Sequence, residues 1–400
     1  MSTDSIYPKI RFPEFRDLES WSTIKLEDCL LQAPDYGLNA PAVPYSDKLP
    51  TYLRITDIAD DGTFISENKM SVNAELNENN SLHDGDIVLA RTGASVGKAY
   101  KYRTKDGALI FAGFLIRIRP NQQILRSEYI YQYLFTSSYK NWVQITSTRS
   151  GQPGINSKEY SSLLVPHTSP TEQQKIADCL SSLDKYIDAI KRKLELLKEY
   201  KNGLIQRLFP TKGKTVPELR FPKFQNDGEW ISRPLSDILN YEQPTQYIVE
   251  DDTYKKEGTP VLTANKGFIL GYTDESFGIY SKLPVIIFDD FTTDKKYVDF
   301  SFKVKSSAMK LLTLKDEERD NLRFIFECMS KIAFEEKEHK RYYISEYQHI
   351  NIYVPSSLQE QNQIADTLLS IDKQISEYDK KIKALELHKK GLMQQLFPKL

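Results

Sequence analysis

Long apolar runs are missing from this 400-residue sequence. The longest, Ala108 to Ile116, has nine residues, whereas a membrane-spanning helix needs about 20. Met1 to Phe12 has no apolar core of the kind a signal peptide requires, so a cytoplasmic, soluble protein with no membrane partner is expected. Cysteine is scarce. Cys29, Cys179 and Cys328 are too few and too scattered for a disulfide framework or a zinc site. The five histidines (His83, His167, His339, His349, His388) are dispersed and match no H-E-x-x-H spacing. Charge of one sign is not in excess either: 54 Lys and Arg face 55 Asp and Glu, for a net charge of −1. That balance argues against a bulk polyelectrolyte binder, so any affinity for nucleic acid must come from local basic clusters or partner subunits. A hydrophobic content of 40% is enough for a sizeable core, and the length implies two or more domains.

A complete nucleotide-binding loop is also absent. "LARTGASVGKAY" (89–100) carries Gly93, Gly97 and Lys98 as G-x-x-x-G-K, one residue short of a P-loop. Ala99 stands where the magnesium-binding hydroxyl should be, so the loop cannot complete phosphate and metal binding. Its glycines suit a tight turn that presents Arg91, Thr92, Ser95 and Lys98.

What the chain does have, it has twice. "PKIRFPEF…W" (8–21) recurs as "PELRFPKF…W" (217–230), offset by 209 residues. A 35-residue stretch, 176–210, aligns without gaps to 364–398 at an offset of 188, with 17 identical pairs. The two blocks inside these frames, about 29–164 and 238–353, show no alignment to each other. The order reads as a first domain (1–168), a helix (169–210), a second domain (211–356) and a second helix (357–400).

The repeated stretch has the spacing of a coiled coil. Ile176, Leu180, Leu183, Ile187, Ile190, Leu194, Leu197, Lys201, Leu204 and Leu208 follow a 4-3 pattern, and the copy from Ile364 to Leu396 follows it too. Ser169 with Glu172 and Ser357 with Glu360 predict capping boxes. Pro210 and Pro398 predict the ends. Each helix would be roughly 54 Å long. The matched copies predict antiparallel pairing with pseudo-two-fold organisation. With seam centres near 192 and 380, Lys201 should lie close to Asp372 and Lys389 close to Asp184.

Within the first block, Tyr52 to Ile55, Asp86 to Ala90 and Leu109 to Arg119 read as strands, and Ser127 to Ser138 as a helix. "STRSGQPGINSKEY" (147–160) is either a connector or a loop presenting Arg149, Ser150, Gln152 and Asn156 to a polar ligand. In the second block "PVLTANKG" (260–267) precedes "PVIIFDDFTTDKKYVDF" (284–300) and a helix from about 317 to 336. Asp289, Asp290 and Asp294-Lys295-Lys296 faintly resemble a metal-dependent nuclease array. The alternative is a loop with aromatics beside basic residues, Phe291 with Lys295 and Lys296, and Tyr342 and Tyr343 with Arg341, facing phosphates and bases.

Two dissimilar blocks, each followed by an "EQ…IA..L…D" helix ending in "LFP", resemble the specificity subunit of type I restriction–modification enzymes. "YLRITDI" (52–58), "GDIVLARTGASVGK" (85–98), "SGQPGINSKEY" (150–160) and the stretch 284–310 are similar to signatures of that family's target recognition domains. The resemblance implies an α+β fold, with two mixed α/β recognition domains separated by two long helices forming an antiparallel coiled coil. It implies that each domain reads one half of a bipartite, asymmetric site on double-stranded DNA. It further implies docking of two adenine-N6 methyltransferase subunits and, through them, motor-nuclease subunits. S-adenosylmethionine, ATP and magnesium would then serve the partners, with no cofactor, metal or catalytic residue in this chain. Candidate DNA contacts are Arg54, Arg91, Thr92, Ser95, Lys98, Arg149, Ser150, Gln152 and Asn156 in the first domain. In the second they are Asn265, Lys266, Thr292, Thr293, Lys295, Lys296, Arg341 and Tyr342. The competing readings are a coiled-coil scaffold that binds only proteins and, less favoured, a nuclease.

Overall fold

The computed structural model describes residues 6–264, 267–335 and 340–400. Two compact units divide the chain: Met1–Arg192 together with Lys380–Leu400, and Lys193–Asp379. The division therefore cuts through both long helices, Pro170–Leu208 and Leu358–Leu396. Each unit holds one variable block, the beginning of its own helix and the end of the other. None of these helices, nor any other among the described residues, is long and apolar enough to cross a membrane.

Within the first unit the helix segments run antiparallel. Lys191 Nζ meets Glu386 Oε1 at 2.7 Å, and Lys389 Nζ meets Asp184 Oδ1 at 2.5 Å. Within the second unit, Lys193 lies over the Tyr378 ring and Lys201 Nζ meets Asp372 Oδ1 at 2.7 Å. Both seam lysines thus sit on the aspartates that the heptad register assigns to them. A charged residue at a seam position fixes register because a slip would strand it among apolar neighbours.

The repeated "RFP" and "EQ" motifs turn out to be two halves of one device. In the first unit the Arg11 guanidinium binds both carboxylate oxygens of Glu172, at 2.7 and 2.8 Å. In the second, Arg220 binds Glu360 at 2.8 and 2.7 Å. The following glutamine ties the helix start to its own block. Gln173 accepts from Arg126 N and donates to the Ile124 and Thr168 carbonyls. Gln361 accepts from Asn321 N and donates to the Arg319 and Pro355 carbonyls. The expected capping boxes are consequently only half formed. Ser169 and Ser357 accept from the Glu172 and Glu360 backbone N–H groups at 3.3 and 3.4 Å, but the glutamate side chains, which would complete a box, are taken by the arginines.

"LFP" closes the circle. Phe397 packs on Tyr129 and Tyr133 in the first unit, and Phe209 on Trp230 and Phe324 in the second. The opening motif also pairs with the helix end: Ile10 N donates to Gln395 O at 3.0 Å, and Leu219 N to Arg207 O at 2.9 Å.

The variable blocks, unalignable as sequence, share one topology. In the first unit Asp35–Tyr36, Leu115–Ile118, Ile87–Ala90 and Ala99–Lys101 form an antiparallel sheet in that order. In the second, Leu239–Glu242, Met309–Leu314, Val285–Asp289 and Lys295–Val298 repeat the order. A second sheet in each unit joins an antiparallel pair (Thr51–Leu53 with Met70–Val72; Thr259–Leu262 with Ile269–Thr273) to a parallel strand (Leu109–Phe111; Lys303–Val304). The run 109–119 is therefore two strands, broken at Gly113 so that its halves serve different sheets. The helix expected over 127–138 stops at Tyr133, and a second runs Ser137–Thr146. The one expected over 317–336 is Leu322–Ser330, capped by Asn321, whose Oδ1 accepts from Phe324 N.

Candidate nucleic-acid interface

The near-P-loop is a β-hairpin. Ile87–Ala90 turns through Gly93–Ser95 and returns as Ala99–Lys101, a strand where a P-loop would place a helix. Gly97 N donates to Ala90 O and Lys98 N to Ser95 O, so these N–H groups serve the turn itself. Gly93 and Gly97 have φ of +72° and +85°, the left-handed region that glycine enters without steric cost.

This hairpin and the loop after the helices meet edge to edge. Ile155 N donates to Arg91 O at 2.9 Å, Gly93 N to Pro153 O at 3.0 Å, and Thr92 bridges Gly154. The second unit builds the same junction from unrelated sequence. There the hairpin turn between Val285–Asp289 and Lys295–Val298 accepts, through Asp290 O, the Tyr342 N–H at 2.8 Å. In both units, then, the carbonyl just after the first hairpin strand (Arg91 O, Asp290 O) accepts a backbone hydrogen bond that joins the two stretches carrying most of the candidate residues.

Individual side chains divide into presented and committed groups. Arg91 stacks its guanidinium 4.8 Å from the Tyr36 ring centroid. Burial raises the Tyr36 phenol, but the hydrogen bond it accepts from Ser157 N and the Arg91 charge outweigh this and hold it below its ordinary value. Gln152 and Ser150 are exposed, and Thr92 and Ser95 are half-buried in the turn. Lys98 Nζ pairs with the well-exposed Asp60 at 2.6 Å, a contact that a phosphate could replace at little cost. Arg149 folds back onto the Thr146 and Thr148 carbonyls and Glu159. Asn156 caps the turn Ser157–Ser161, its side chain accepting from Glu159 N. Arg54 is bound by Asp57 and the Asn68 carbonyl.

In the second unit Thr292 is exposed, Lys296 half-buried and Arg341 exposed, with its guanidinium 6.0 Å from the Phe291 ring centroid. Desolvation holds the Lys295 amine below its ordinary value, opposed by Asp294; it lies over the Tyr347 ring. Two expectations fail here. Tyr342 is only 1% exposed and packs against Phe334, so its ring is not offered to a ligand. Thr293 is buried at the left-handed position of the turn, φ +52°, its N–H on Asp289 O. Asn265 and Lys266 lie outside the described residues. The acidic array is likewise structural: Asp289 accepts from Phe291 N and Thr292 N, while Asp290 pairs with the buried Lys310 at 2.9 Å and accepts from Tyr343 N. Tyr36 and Phe114 escaped the sequence reading. Neither lies near Arg91 in the chain, and only the sheet order brings them beside it.

Two stretches of the chain, 47–199 and 227–387, match the family model described as the type I restriction modification DNA specificity domain. Together they span most of its length. The chain belongs to the type I restriction–modification specificity family. A specificity subunit of this class from Escherichia coli is 51% identical over 132 residues, which is 32% of this chain and 32% of that protein. The MjaVIII type I restriction enzyme specificity subunit of Methanocaldococcus jannaschii is 22% identical, covering 98% of this chain and 96% of its own. A second M. jannaschii protein, a putative specificity subunit, is 26% identical, and this chain covers 49% of it. The chain thus spans about a third and about half of two of the curated relatives it matches. The crystal structure of a type I restriction–modification S subunit from M. genitalium has the same fold, with a TM-score of 0.68 at 14% identity over 99% of this chain and 100% of that one.

Proposed function

We propose that this chain is the non-catalytic DNA-reading subunit of a type I restriction–modification complex. Each block reads one half of a bipartite, asymmetric site in double-stranded DNA. The observation that carries this reading is the junction found once in each unit, where a hairpin and a post-helix loop of unrelated sequence are joined by the same backbone hydrogen bond on the same strand order. Constant framework with variable loops is what two independent readers require. Arg91, Lys296 and Arg341, which no ion pair described above holds, and the exposed Gln152 are the side chains best placed to reach base edges or phosphates. The long helices would set the spacing between half-sites and dock two adenine-N6 methyltransferase subunits, and through them the motor-nuclease subunits. S-adenosylmethionine, ATP and magnesium belong to those partners in this reading. A cytoplasmic location goes with it, supported by three cysteines that are all free thiols.

The test is sequencing of adenine methylation in cells carrying the complex, with the parental chain and with residues 29–164 exchanged for the block of another family member. The exchange should change one half-site and leave the other intact. Alteration of both half-sites, or of neither, would overturn independent reading.

A further inference from the structure

An exposed aromatic stands at the turn between the split strands of the first block. Phe114 is 60% exposed, yet its backbone is pinned on two sides. Its carbonyl accepts from Arg91 N at 3.1 Å, and Gly113 N donates to Leu38 O at 2.8 Å. The neighbouring segment approaches so closely that a Cβ on Gly37 would lie 2.3 Å from the Phe111 carbonyl, so only glycine permits the contact. The backbone that carries the ring is therefore fixed at the surface.

Phe114 lines a hollow of about 380 Å³ together with Ala40, Ala112, Tyr52, Asn39 and Arg54. The Tyr52 hydroxyl is already used, donating to the Leu38 and Ala40 carbonyls, and Arg54 is held by Asp57. The hollow thus offers mainly apolar surface, and Arg91 reaches its edge, Nη1 donating to the carbonyl of the lining residue Gly113 at 3.4 Å. In the DNA major groove the one apolar group on the base edges is the 5-methyl of thymine. An apolar contact next to an arginine fits a negatively charged groove that carries such a methyl.

We propose that Phe114 and this hollow read the 5-methyl group of a thymine in the half-site of the first block. The inference rests on the DNA-reading role proposed above and names one determinant within it.

The test uses the full chain assembled with its methyltransferase subunits, and duplexes bearing the methylated site found by sequencing. Each thymidine of both half-sites is replaced in turn by 2′-deoxyuridine, which removes only the methyl. One replacement in the first half-site should weaken parental binding about fourfold, the effect of one buried methyl-sized group. The Phe114→Ala variant should bind the parental duplex more weakly and lose sensitivity at that position. Phe114→Leu, which keeps apolar contact, should retain part of it. Unchanged responses in the second half-site would show that the variants are folded. A flat scan with the parent, a first half-site without thymine, or a Phe114→Ala variant still sensitive at that position would overturn this inference alone. Failure of the parental assembly to bind any duplex would overturn the DNA-reading role together with it.

Discussion

Replacing Glu360 by Gln tests the bidentate clamp of the second unit. The substitution keeps the shape but removes the charge, and it turns an amide N–H₂ toward one of the two guanidinium donors. Arg220, with a side chain only 8% exposed, then retains the Asp227 and Gly228 carbonyls, at 2.7 and 3.1 Å, and one amide oxygen. Breaking a buried pair from one side costs about 3–5 kcal/mol. The surviving acceptor places this case near the lower end, about 3 kcal/mol. Glu172→Gln should cost about 1 kcal/mol more, because Glu172 also accepts from the Thr168 hydroxyl at 2.5 Å. Urea unfolding of the full chain can read the two units separately through their tryptophans. Trp230, packed on Phe209 and Phe324, reports on the second unit once Trp21 and Trp142 are changed to Phe. Trp21 reports on the first when Trp142 and Trp230 are changed instead. Glu360→Gln should lower the Trp230 transition and leave that of Trp21 nearly unmoved. A loss below about 1 kcal/mol in the second unit would refute the clamp as the reason both motifs are repeated.

Glu327 is buried beside Lys201, Arg323 and Asp372, and burial raises its carboxyl above the ordinary value although the two cations oppose this. Its stabilising contribution is therefore full below the unfolded value, about 4.3, and is lost as pH rises through the folded one. The stability of Glu327→Gln, measured by thermal unfolding across a pH series, should fall less than the parent's over that window, and parallel curves would count against the assignment. Deleting one heptad from each long helix, Ile187–Lys193 and Ile375–Lys381, keeps the seam but shortens each helix by about 10 Å. That corresponds to roughly three base pairs and about 100° around the duplex, so methylation of the parental site should be lost. Undiminished methylation at the original spacing would show that the helices do not set it.

The sequence by itself determined the duplicated frame, the long helices and their register. These properties are local and periodic. A 4-3 spacing dictates which face of a helix is apolar, and one lysine in that seam suffices to pair Lys201 with Asp372 and Lys389 with Asp184. It also ruled out a working P-loop, because a missing hydroxyl and a shortened loop are visible in the letters. Its statements about particular side chains were less secure. Glu172 and Glu360 had the right spacing for capping boxes, but spacing does not reveal the buried arginines that compete for them. Tyr342 beside Arg341 read as a surface aromatic, although its neighbours in space are Asp290 and Phe334.

What only the tertiary structure decided is non-local. Two blocks without alignable sequence share one strand order because a sheet asks of each strand only an apolar face and a partner. Very different residues satisfy both conditions. The pairing of Arg91 with Tyr36 and Phe114, and the junction of Asp290 with Tyr342, depend on which strand lies beside which. That choice rests on the summed burial of the whole unit, and no single stretch of the chain contains it.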